Sequence, residues 1–217
     1  MRKGFNIILY GGPGTGKTET TLQLAKKTGR DVFCIDVAKL KSKWVGDSEK
    51  AVRGVFKIYR DLCKMKEKMP ILFFNEADAI FGKRMENVES SAAQMLNTLQ
   101  NILLQEMETL DGILICTTNL HGNLDPAFER RFIYKIELEK PGEEVRCKIW
   151  ESMMPGYSKD EYARLSSRYA FSGGQIENVV RKSAVDYILS GQRATIEDIS
   201  KFCDEEVFKS KVRKVGF

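Results

Sequence analysis

The chain has 217 residues, 42% hydrophobic and 30% charged, with a formal net charge of +5 at pH 7. Such a length accommodates one or two domains and buries a real core, as expected of a soluble globular protein. No apolar run approaches the roughly 20 residues of a membrane-spanning helix, and the basic residues are interspersed with acids up to "KSKVRK" near the end, so neither a membrane nor a nucleic-acid partner is expected.

The opening "MRKGFNIILYGG" is not read as a signal peptide, because its apolar run is short and leads into glycines rather than a cleavage site. Strand-like "FNIILY" (5–10) is followed by a glycine-rich loop and by helical spacing from Lys17 to Lys27. "DVFCID" (31–36) is a second strand, Ser48 to Lys66 a helix, "ILFFN" (71–75) a third strand and Ser91 to Glu108 a helix. "GILICTT" (112–118) and "FIYKIEL" (132–138) complete five strands. Strands alternating with helices predict an α/β class with a parallel sheet covered on both faces.

Pro141-Gly142 then punctuates the chain, and the strand signals stop. Glu143 to Met153, Lys159 to Tyr169, Gln175 to Ser190 and Ile196 to Lys209 carry apolar residues at helical intervals, with Ser172 and Thr195 as helix starts. The expected domains are an α/β domain over 1–140 and a small all-helical domain over 141–217. Five cysteines, Cys34, Cys63, Cys116, Cys147 and Cys203, form no CxxC pair, which argues against a zinc site or disulfide framework and for a reducing cytoplasm. Cys34 and Cys116 fall inside apolar strands and read as small core residues.

"GGPGTGKT" (11–18) follows the first strand and opens a helix, matching G-x-x-x-x-G-K-[ST] at Gly11, Gly16, Lys17 and Thr18. Glycines let backbone N–H groups curl around phosphates, and the helix N-terminus adds about half a positive charge. In this phosphate loop (P-loop, Walker A), Gly12, Pro13, Gly14, Thr15, Gly16, Lys17, Thr18 and Glu19 are the expected nucleotide contacts; Lys17 reaches the β- and γ-phosphates and Thr18 ligates Mg²⁺. The expected ligands are therefore ATP and Mg²⁺.

"ILFFNEAD" (71–78) is the candidate second strand of such a site. Glu76 is placed to orient and activate water. Asn75 stands where an aspartate is usual; its amide oxygen can hold a metal-bound water but carries no charge, a loss of about 1–2 kcal/mol in metal binding. Asp78 has two readings, a surrogate acid or a helix-initiating residue, and the second is preferred. Asn119, ending "ILICTTN", lies where ligands bind in open parallel sheets and is expected to meet the γ-phosphate or the nucleophilic water. His121, with no acid partner nearby, reads as a loop residue.

These motifs together resemble the AAA ATPase family across almost the whole chain. "TTNLHGNLDPAFERRF" is similar to its second region of homology, "SKWVGDSEKAVRGVF" (42–56) to the central-pore segment of protein-remodelling members such as katanin and spastin, and "FSGGQIENVV" to its lid motif. The resemblance implies a three-layer P-loop sandwich with a five-stranded parallel sheet, then a helical lid, assembled as a ring, usually a hexamer. It implies that Arg130 and Arg131 are arginine fingers acting in trans, that Gly173 and Gly174 close over adenine and ribose, and that Trp44-Val45-Gly46 grips an extended protein substrate. It also implies a C-terminal ATPase domain of a longer protein. No arginine just after Gly174 matches a lid-borne sensor, and Arg181 reads as a residue of a solvated helix face.

The leading expectation is a ring-forming, ATP-hydrolysing protein remodeller of the cytoplasm. Three alternatives stay open: a nucleic-acid-directed motor, a small-molecule kinase, and a nucleotide-binding module with weak or no turnover because of Asn75.

Overall fold

The structure is a computed structural model that describes residues 4–37, 48–82, 91–119, 122 and 124–207. Its described residues fall into two compact units, one drawn from Met1–Gly12 and Gly16–Leu138, the other from Pro13–Thr15 and Glu139–Phe217.

The first unit is built on five parallel strands, β1 (Phe5–Tyr10), β2 (Val32–Asp36), β3 (Ile71–Asn75), β4 (Ile113–Thr118) and β5 (Tyr134–Glu137), in the order β2-β3-β4-β1-β5. The two-residue period of a strand sends alternate side chains to opposite faces. Leu72 and Phe74 join Ile8, Leu114 and Cys116 on one face, against α2 (Ser48–Met65) and α4 (Ser91–Thr109). Ile71 and Phe73 join Leu9 and Ile115 on the other, where Ala25 of α1 (Lys17–Thr28) packs. With both faces covered, strands 71–74 and 114–118 read as unbroken buried runs.

Cys34 departs from expectation: it is exposed, whereas Cys116 is buried. β2 is an edge strand, so an apolar run there fills only one face with core. Two short helices were also invisible to helical periodicity, α3 (Asp78–Phe81) and α5 (Pro126–Glu129), each a single turn. They are recruited by packing, since the Phe81 ring centroid lies 4.8 Å from that of Phe128, tilted, and 5.5 Å from that of Phe132, edge to face. Asp125 caps α5 by accepting from the Ala127 N–H at 2.7 Å, with Pro126 at the first helical position.

Tyr59 of α2 pins the sheet from inside the core. Its hydroxyl donates to Pro70 O at 2.9 Å and accepts from the Ile113 N–H at 2.9 Å, while its ring is fully buried. Burial pushes its phenol well above the ordinary range. Gly112 makes room for it: a Cβ there would meet the hydroxyl at 2.5 Å.

The second unit contains α6 (Glu143–Met153), α7 (Lys159–Arg168), α8 (Gly173–Ser190) and α9 (Ile196–Glu206). Trp150, Tyr162, Leu165, Ile176, Val179 and Ile199 form its core. Ser158, Ser172 and Thr195 each close a capping box with the acidic or amide residue three positions on, satisfying two orphan N–H groups per helix start. Helix α9 stops at Glu206, earlier than its apolar spacing suggested; residues 208–217 lie outside the described ones.

Two predictions follow from this packing. Gly112→Ala overpacks Tyr59 and breaks its buried hydrogen bonds, so urea unfolding should show a loss of about 2–4 kcal/mol. Hydrogen bonds from Thr195 and from the Lys201 ammonium hold the Asp198 carboxyl down from 3.8 to about 2. The depressed value means that its contribution is complete above pH 3.8 and is lost as pH falls through about 2. Asp198→Asn should remove that pH dependence, read as amide exchange at the start of α9 between pH 5 and 2.

Candidate functional site

In a parallel sheet every strand ends on the same edge, so the loops after β1, β3 and β4 converge. After β1 the chain turns through Gly14 and Gly16, at φ 73 and 92, left-handed values that a side chain resists. Gly16 is the N-cap of α1 and no side chain caps it, which leaves that helix end to a ligand. Glu19 lies in the first turn, exposed, and accepts from Gln23 at 2.6 Å.

Lys17, the first residue of α1, is only 8% exposed. Its ammonium donates to Gly11 O at 2.9 Å, Gly12 O at 2.7 Å and Asn119 Oδ1 at 2.8 Å. An ammonium has three donors, and all three are satisfied. Burial pushes its pKa down, and the carboxylates of Asp78 and then Glu76 push the other way.

The end of β3 meets the same edge. Asn75 Oδ1 accepts from Thr18 Oγ1 at 2.9 Å and from Thr117 Oγ1 at 2.9 Å. Thr117 in turn accepts from the Glu76 N–H at 3.0 Å, and its carbonyl takes the Ala77 N–H at 2.9 Å. Glu76 is thereby held at φ 52, the single left-handed non-glycine among the described residues, with its side chain exposed. Such a conformation costs about 1–2 kcal/mol and persists only where neighbours impose it. Sequence reasoning overlooked Thr117; its trace was the doubled threonine of "TTN", of which only the asparagine was taken.

Asp78 opens α3, as expected of a helix-initiating residue, yet its carboxylate does not cap that helix. It accepts instead from Thr118 Oγ1, from the Asn119 N–H at 2.8 Å and from Asn119 Nδ2 at 3.2 Å.

Arg130 and Arg131 follow α5 and behave differently. Arg131 is 18% exposed in its side chain and is paired with Glu108, while Nη1 donates to Ala127 O at 2.7 Å. Arg130 is exposed, its Nε donating to Pro126 O at 3.3 Å. Gly173 and Gly174 open α8 in the second unit, where the Gly174 N–H donates to Gly14 O at 3.0 Å. Arg181 lies on an exposed helix face, paired with Glu177, as its spacing suggested. Trp44, Val45, Gly46 and His121 lie outside the described residues.

The donor set fits a magnesium nucleotide. An ammonium among three oxygens beside an uncapped helix start suits a polyphosphate. The Thr18 hydroxyl and Asn75 amide oxygen, 2.9 Å apart, suit a hard oxygen-seeking cation.

Residues 7–140 match the family AAA, described as the ATPase family associated with various cellular activities. The chain is 33% identical over 199 residues to vacuolar protein sorting-associated protein 4A of Homo sapiens, covering 87% of this chain and 44% of that protein. It is 30% identical over 192 residues to the meiotic spindle formation protein mei-1 of Caenorhabditis elegans, covering 84% and 39%. It is 36% identical over 152 residues to the proteasome-activating nucleotidase of Methanococcus vannielii, covering 67% and 36%. The chain spans less than half the length of these relatives.

The left-handed backbone at Glu76 makes a prediction of its own. Glu76→Gly relieves the strain and should raise thermal stability by about 1 kcal/mol. Glu76→Gln keeps the strain and should leave stability within about 0.5 kcal/mol of the native chain in the same melting experiment.

Proposed function

The chain belongs to the AAA family of ATPases, and on that premise we propose that it is the ATP-binding and ATP-hydrolysing domain of a ring-forming protein remodeller. The observation that carries this reading is the Lys17–Asn119 hydrogen bond at 2.8 Å, which joins the glycine-rich loop to the end of β4 beside Glu76 and Asn75. Relatives named for protein sorting, spindle formation and proteasome activation support a protein-directed task. Among the described residues no helix is long and apolar enough to cross a membrane. We assign the chain to the cytoplasm, in keeping with its unpaired cysteines.

In this reading the loop from Gly12 through Pro13, Gly14, Thr15 and Gly16 to Glu19 wraps the phosphates, and Lys17 turns from Gly11 and Gly12 carbonyls to phosphate oxygens. Thr18 and Asn75 hold Mg²⁺, which when bound spreads the charge of the phosphates. Glu76 accepts the proton of the attacking water, whose oxygen bonds to the γ-phosphorus as the bond to ADP breaks. Asn119 donates to the γ-phosphate. Arg130 is the exposed arginine, ready for a neighbour's site in a hexamer; Arg131 serves there only after releasing Glu108. Gly173 and Gly174 close over the base and ribose, and Trp44 grips the protein substrate.

A second reading, a nucleotide-binding module with weak turnover, draws on Asn75. Both its hydrogen bonds are those an aspartate would accept, so the geometry survives without the charge. The loss falls on cation affinity and leaves phosphate binding intact.

Phosphate release measured against protein concentration tests both. The rate per subunit should rise on assembly, vanish in Glu76→Gln, and fall about 10³-fold or more in Arg130→Ala. A rate independent of concentration and unchanged in Arg130→Ala refutes the trans-acting ring. Asn75→Asp should tighten Mg²⁺ about tenfold, read from Mg²⁺ titrations of nucleotide binding; unchanged affinity removes the case for weak turnover.

A further inference from the structure

Asp78 belongs to none of the roles above, yet its carboxylate is the most heavily committed acceptor at the site. Its Oδ1 takes the Asn119 N–H at 2.8 Å and the Thr118 hydroxyl, and its Oδ2 takes the Asn119 amide Nδ2 at 3.2 Å. On the other side of Asn119, Oδ1 accepts from the Lys17 ammonium at 2.8 Å.

This arrangement admits one orientation of the Asn119 amide. A carboxylate offers only acceptors and an ammonium only donors, so a flipped amide would set oxygen against carboxylate and N–H against ammonium. Asn119 itself is exposed, so its polar partners set the amide orientation. Asp78 and Lys17 thus fix it from two ends. The Nδ2 group has two hydrogens; Asp78 takes one, and among the described residues the other is the donor left for a ligand.

We propose that Asp78 is a positioning residue: through its fork on Asn119 it aims the spare amide N–H at the terminal phosphate of a nucleotide held by Lys17, and so sets discrimination between triphosphate and diphosphate. The proposal rests on the reading of Asn119 as the γ-phosphate contact. Asp78 touches no phosphate itself. Its partners lie on β4 and the residue after it, whereas Asp78 follows β3, so it also locks two strand ends in one register at the site.

The test needs no turnover. Affinities for ATPγS and ADP are measured with MgCl₂ by displacement of a fluorescent ADP analogue, in the native chain, Asp78→Asn, Asn119→Ala and the double variant. Asp78→Asn puts an NH₂ against the Asn119 NH₂ and favours the flip. It should weaken ATPγS about tenfold while ADP binding stays within about twofold. Asn119→Ala should show the same selective loss, and the double variant no more than Asn119→Ala alone.

An undiminished ATPγS preference in Asp78→Asn overturns the proposal and leaves the ATPase reading standing. So does a loss shared equally by ADP, or one that persists on the Asn119→Ala background, since either marks a structural role. A native chain with no ATPγS preference overturns the γ-phosphate reading of Asn119 together with the proposal. Asp78→Ser, which keeps one acceptor for the Asn119 N–H, carries the same comparison where Asp78→Asn does not fold.

Discussion

A buried ammonium needs three acceptors, and the site is organised around meeting that demand for Lys17. Two of the acceptors are carbonyls of the glycine-rich loop and the third is the Asn119 amide oxygen, from a strand distant in sequence. This one cation therefore closes the loop after β1 onto the end of β4. Burial works against its charge, and the carboxylates of Asp78 and Glu76 oppose that effect from the other side. In the proposed function only the two loop carbonyls give way to phosphate oxygens, and the Asn119 amide oxygen stays with Lys17.

Charge is the quantity that Asn75 changes, and shape is not. An amide oxygen accepts from the Thr18 and Thr117 hydroxyls just as a carboxylate oxygen would. What an amide lacks is the carboxylate's negative charge, so a cation held there as proposed would meet two neutral oxygens. Stored strain lies one residue further on. The left-handed Glu76 is imposed by Thr117, whose hydroxyl and carbonyl both bind the turn after β3. A hydroxyl that donates to Asn75 and accepts from the Glu76 N–H couples Asn75 to the acid beside it.

Much of the fold was legible because each element carried its own period. Five strands and seven of the nine described helices stand within a few residues of where apolar spacing put them, and the cap residues Ser172 and Thr195 were readable directly. The misses share a cause. Helix α5 is a single turn held by the Phe81–Phe128–Phe132 cluster, a contact between segments that no local window contains, whereas the start of α3 at Asp78 was readable from the sequence. Cys34 looked like core because its run is apolar, but whether a strand is covered on one face or two depends on its place in the sheet order.

The candidate site divides along the same line. Sequence by itself determined the phosphate-loop pattern, the neutral Asn75, the adjacent Glu76 and the strand-ending Asn119, because each is a residue type at a fixed spacing within one segment. Tertiary structure decided what those residues do to one another. It made Thr117 a staple, gave the helix-initiating Asp78 a second role as the anchor of Asn119, and separated an exposed Arg130 from an Arg131 held by Glu108. The physical reason is that hydrogen bonds and charge pairs act across a few ångströms of space. Only the parallel stacking of β1, β3 and β4 brings residues as far apart as Lys17 and Asn119, 102 positions, within that range.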